Sequence, residues 1–214
     1  ARSLAYETYL FERAAEVIVQ LSVDEPPDKN YESSTNVLTS LFYCHLSGTE
    51  ASPCQRAKVI KSLMLSSIQG RQRLSLDLLR ASFETSYFSS IYDFDFGARR
   101  RDYGWHPLSE DDLYDWYKQF IDISVEFGKE NTKFAQAVRT VLAESLRGLW
   151  MLDILRQEII RAINELTIDI HWPEGWHAVL GILHFDKETL DEENILILQR
   201  LGEHLAPEDL KTKI

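Results

Sequence analysis

A chain of 214 residues with 44% hydrophobic and 11% aromatic side chains can bury a sizeable core, which excludes a disordered polymer and suits one large domain or two small ones. Its net charge of −11 argues against a general nucleic-acid-binding surface, because such surfaces neutralise phosphates with Lys and Arg. No uncharged apolar run approaches the roughly 18 residues that a membrane span needs, and no signal peptide is legible, so a soluble, cytoplasmic setting without a membrane partner is expected.

The chain opens on Ala1, and Leu4 onward reads as helix interior, as expected for a piece of a longer protein. Phe11, Ala14, Ile18 and Leu21 set an apolar stripe on a first helix over about 4–22, stopped at Pro26-Pro27. Val37, Leu38, Leu41 and Phe42 mark a second helix over about 36–46. Ser52-Pro53 is a start signal, with Ser as cap and Pro in the first turn; Ala57, Ile60, Met64 and Ile68 then face inward until Gly70. A fourth helix runs to about Glu84 with Leu74, Leu78 and Phe83 inward.

The run from Tyr92 to Pro107 breaks this rhythm with aromatics, two glycines and Arg99-Arg100-Arg101. After it, Ser109 can cap a helix whose first turn is acidic, with Asp112 near the capping-box position. Leu113, Trp116, Tyr117, Phe120 and Phe127 follow at helical spacing to Gly128. Phe134, Val138, Val141 and Leu142 define the next helix, and Leu152, Leu155, Ile159 and Ile163 another. Residues 167–172 alternate and are the only plausible strand, more simply an extended linker. Pro173 opens a helix through Trp176, Val179, Leu180 and Leu183; a further one spans 189–205, and Pro207 starts a last turn.

About nine helices joined by short connections predict an all-α fold, with antiparallel helix pairs stacked as an irregular, HEAT-like α-solenoid; a compact multi-helix bundle is the alternative. The expected organisation is 1–88, a loop at 89–109, and 110–214, forming one continuous helical domain.

Candidate chemistry is sparse. Cys44, His45 and Cys54 match no common zinc spacing, and a thiol on an apolar helix is ordinarily a core residue. Asp93, Asp95, Asp102 and His106 could bind a divalent cation in a phosphodiester-type enzyme using loop 93–106. The three arginines between them favour internal ion pairs instead. Gly97 and Gly104 lack the Lys-Ser/Thr of a phosphate-binding loop. Trp172 and Trp176 would be an interaction hot spot if exposed, but such tryptophans more often pack at a helix corner. No catalytic residue, metal or cofactor is therefore assigned. The candidate binding residues are Arg99, Arg100, Arg101, Tyr103, Trp105, Trp172 and Trp176.

Three stretches carry a family resemblance: 36–42 with 46–52 and Gln55-Arg56, the run 94–107, and 172–179 with 205–210. Together they resemble the long helical region downstream of the ATPase in large bacterial signal-transduction (STAND-type) NTPases, several of which serve in antiviral defence. The resemblance implies a non-catalytic sensor or regulatory module, with the nucleotide site elsewhere in the parent protein. It implies a protein ligand, or other domains of the parent, as partner. A purely structural scaffold that forms homo-oligomers is the bland counterpart.

Overall fold

The computed structural model describes residues 1–23, 25, 33–86, 88 and 101–207. The fold is all-α: among the described residues there are nine α-helices and no strand. They are α1 (Phe11–Val23), α2 (Ser34–Ser40), α3 (Pro53–Met64), α4 (Gln69–Ser82), α5 (Glu110–Gly128), α6 (Lys133–Trp150), α7 (Arg156–Leu166), α8 (Pro173–Phe185) and α9 (Glu192–Leu205). The chain divides into two compact units, Ala1–Ile123 and Ser124–Ile214. That division falls inside α5 and not at the 89–109 loop. Residues 101–116 belong with the first unit because Trp105 and Trp116 stack on each other and lie over Arg56 of α3.

In the first unit α1 is the centre, touching α2, α3 and α4, while α3 also packs on α4. Phe11, Ile18, Leu38, Ile60, Leu63, Leu74 and Leu78 are among its buried residues. Helix α3 starts where Ser52-Pro53 places it. Ser52 Oγ accepts from Gln55 N–H, Gln55 reaches back to the Ser52 N–H, and Pro53 occupies the first turn.

Three boundaries differ from the sequence expectation. The helix expected over 4–22 is a short 3-10 turn, Leu4–Tyr6, followed by α1, because loop 47–50 captures carbonyls of the first eight residues. The second helix ends at Ser40 instead of 46, and the Tyr43 carbonyl goes to Arg56. Gly70 breaks nothing: α3 stops at Met64, Ile68 is extended, and Gly70 sits in the first turn of α4. A Cβ there would lie 3.0 Å from Val23 Cγ1 of α1.

In the second unit α6 packs on α7 and α8, and α8 on α9. Thr132 caps α6 by accepting from Ala135 N–H, and Asp191 caps α9 by accepting from Asn194 N–H. Arg139 Nη1 donates to the carbonyls of Gly128 (2.6 Å) and Glu130 (2.9 Å), closing the C-terminal end of α5. Residues 167–172 form the linker between α7 and α8, not a strand. Among the described residues no helix is long and apolar enough to cross a membrane.

Candidate functional site

Among the described residues, a densely bonded non-helical region lies in the first unit, where 1–8, 43–51 and 101–106 converge on Arg56. Arg56 is an arginine on an apolar stripe: four residues before Ile60 and seven before Leu63, it faces the core and is fully buried. Its Nη1 donates to Tyr43 O (2.8 Å), Nε to Ala51 O (3.1 Å) and Nη2 to Thr49 O (3.4 Å). Its guanidinium carbon lies 4.9 Å from the Trp116 ring centroid and 5.7 Å from that of Trp105. No carboxylate among the described residues forms a salt bridge with it. Burial pushes its pKa down, but the guanidinium stays charged at neutral pH.

A short backbone ladder covers this cation. Gly48 N–H donates to Tyr103 O and Trp105 N–H to Thr49 O, both at 2.8 Å, around a parallel Thr49–Gly104 bridge. Gly104 has φ +78°, and a Cβ there would fall on the Thr49 backbone. Leu46, at φ 56°, is the one non-glycine with positive φ among the described residues.

The structure places the expected contact residues unevenly. Arg99 and Arg100 lie outside the described residues, as do Asp93 and Asp95. Arg101 faces inward, its side chain 11% exposed, bonded to Ser3 O and Glu7 and lying 4.7 Å over the Tyr6 ring. It ties down the N-terminal segment and offers no open face to a partner. Tyr103 is exposed at 54%, and Trp105 is half-buried, stacked on Trp116 at 5.2 Å.

Asp102 and His106 act within the ladder. Asp102 accepts from Gly104 N–H (2.9 Å) and from the Tyr6 hydroxyl (3.0 Å), and these bonds hold its pKa below the usual carboxylate range. His106 Nδ1 lies 3.0 Å from Gly104 O. Among the described residues no group of three His, Cys, Asp or Glu side chains could hold a metal ion. Cys44 is buried, and burial pushes its thiol up to about 12; Cys54 is exposed.

Trp172, expected as a contact residue, is 1% exposed. It precedes α8 and folds back over Gly175, where a Cβ would sit 2.5 Å from Trp172 Cδ2. Packing at a helix corner therefore buries this residue. Trp176 is half-buried, its ring 5.0 Å from that of His177.

The second unit carries a surface cleft of about 560 Å³ between segments 167–172 and 204–207. Ile168 stands at its edge, 73% exposed, and Thr167 Oγ1 lies 2.8 Å from His204 Nε2 across it. That volume lies within the range of ordinary ligand clefts. Sequence reasoning named Trp172 in this region but not the cleft, which depends on the linker between α7 and α8 meeting the end of α9. The Arg56 cluster was missed too, although an arginine on an otherwise apolar helical face was its signal.

No known protein family, no curated protein and no solved structure matches this chain.

Proposed function

We propose that this chain is a helical interaction or sensor module of a larger bacterial signalling NTPase, receiving a protein ligand or another domain of its parent. The single observation that carries the reading is the cleft of the second unit, with Ile168 at its edge. An open concavity lined by Ile168, Ile170, Ala206 and Pro207 beside the polar Thr167, Asp169 and His204 is the kind of surface that a ligand or partner segment occupies. The first unit's polar loops are consistent with the same reading. Their titratable side chains are engaged in bonds that hold the loops together, as with Asp102 and His106.

The test compares the chain with its Ile168→Glu variant as bait in lysates of virus-infected and uninfected bacteria. The expected result is a bacterial or viral protein retained by the parent sequence and lost with the variant, at unchanged helical circular dichroism. Identical captures by both baits would refute the cleft as the contact. Recovery of the chain itself alone would favour a self-associating scaffold.

A further inference from the structure

We propose that segments 1–8, 47–51 and 101–106 form a single detachable latch, which opens as one unit and uncovers the Arg56–Trp116 pair. The three segments are tied chiefly to one another. Arg2 donates to the carbonyls of Ser47 (2.9 Å) and Gly48 (3.1 Å), Thr49 Oγ1 donates to Ala5 O, and Glu50 N–H donates to Tyr6 O (2.9 Å). The Tyr6 hydroxyl, with one proton to donate, lies 3.0 Å from Asp102 and 3.3 Å from Glu50, while Arg101 reaches Ser3 O and Glu7. The Gly48–Tyr103 and Trp105–Thr49 bonds then join the second segment to the third. Each segment thus uses the other two as hydrogen-bond partners, so losing one leaves polar groups of the others unsatisfied.

The composition of the latch sets it apart from the helices beneath. Within 1–8 only Ala5 is buried, and within 101–106 only Gly104 is; in 47–51 Ser47, Gly48, Thr49 and Ala51 are buried, but all are small and carry little apolar area. The segments are therefore held by polar bonds with little apolar burial, which is the makeup of regions that open below the global unfolding free energy. The chain is also left-handed at Leu46 (φ 56°), just before the latch, which adds a small local strain that opening relieves. Beneath lies Arg56, fully buried, whose bonds to Ala51 O and Thr49 O tie the latch to α3 and are exchanged for water when it opens. The open form would present a cation stacked on an indole, the side-chain types that dominate protein contacts.

Hydrogen exchange of the full chain, followed by NMR over a urea series below the unfolding midpoint, tests the latch. The amides of Ala5, Gly48, Glu50 and Trp105 are expected to share one opening free energy and one urea dependence, lower than those of α3 and α4. Tyr6→Phe removes the hydroxyl that lies between Asp102 and Glu50, at a half-buried position outside the helical core. It should speed exchange of all four amides by a common factor of roughly fivefold, leaving α6–α9 unchanged. Exchange that rises only at Ala5 overturns the proposal, as do four unequal wild-type opening energies. Exchange of all four only through global unfolding overturns it equally, and the wild-type series decides this without any variant.

Discussion

Arg56 shows how a single side chain organises the loops of the first unit. A buried guanidinium costs several kcal/mol of desolvation unless its donors are satisfied, and here three backbone carbonyls and two indole faces do so. Replacing it with Met removes the charge but takes the Arg56 donors away from the carbonyls of Tyr43 and Ala51, while Thr49 O keeps the bond from Trp105 N–H. Urea unfolding should show Arg56→Met destabilised by about 2–4 kcal/mol. Arg56→Lys should be destabilised as well, since an ammonium cannot supply the planar fork. A loss under 0.5 kcal/mol for both would show that the cluster is incidental. The two cysteines give a second residue-scale expectation. Cys44 is buried with its thiol pushed up to about 12, while Cys54 is exposed at the start of α3. Near pH 8 a thiol reagent should therefore label one cysteine in the native protein, Cys54, and two after denaturation. Prompt native labelling of both would contradict the packing around Cys44.

At the scale of elements, what the sequence disclosed follows the range of the interactions involved. Start signals are local, so the Ser52 cap with Pro53, the Ser109 cap and the Pro173 start of α8 are present in the structure, while the helix expected from 189 starts at Glu192 behind an Asp191 cap. Ser52→Ala should cost about 1 kcal/mol by removing the side chain that accepts from Gln55 N–H, measurable as a shifted urea midpoint at unchanged slope. The acid expected to complete a capping box at Ser109 instead reaches one residue further back: Asp112 accepts from Leu108 N–H at 3.1 Å. Ends that depend on distant partners were not legible. Residues 1–10 carry helical periodicity, yet loop 47–50, more than 40 positions away, takes their carbonyls and limits the first element to three residues. Gly104 belongs to the same category. Its positive φ and its contact with Thr49 exist only because two loops meet, and Gly104→Val should disrupt the ladder and destabilise the first unit by more than the Ser52 cap does. The candidate contacts divide on the same line. Burial of Trp172 follows from Gly175 on its own helix and was foreseen as the packing alternative, whereas the inward turn of Arg101 onto Ser3 and Glu7 depends on residues more than 90 positions away.

At the scale of the whole molecule, the two units differ in how they should respond to alkali. In the first unit burial, then the hydrogen bond to Asp102, pushes Tyr6 up to about 12; burial raises Cys44 to about 12 and also raises Tyr117. Each of these groups loses a proton less readily in the folded chain than in the unfolded one. Their contribution is therefore complete below about pH 9 for Cys44 and about pH 10 for the tyrosines, and is lost as pH rises through the folded values. Burial lowers the Arg56 pKa, which is the opposite sign, but a guanidinium stays protonated over this range and so does not offset the loss. In the second unit no cysteine or tyrosine is present, so this alkaline loss has no counterpart there. The thermal midpoint should accordingly fall between pH 9 and pH 11, with the change centred on residues 1–123. A chain carrying both Tyr6→Phe and Cys44→Ala should show a shallower fall than the parent, whatever its starting stability, because two of the three titrating groups are gone. Calorimetric scans at pH 8, 9, 10 and 11 measure both slopes, and parallel slopes for parent and variant would mean that these two groups do not govern the alkaline limit.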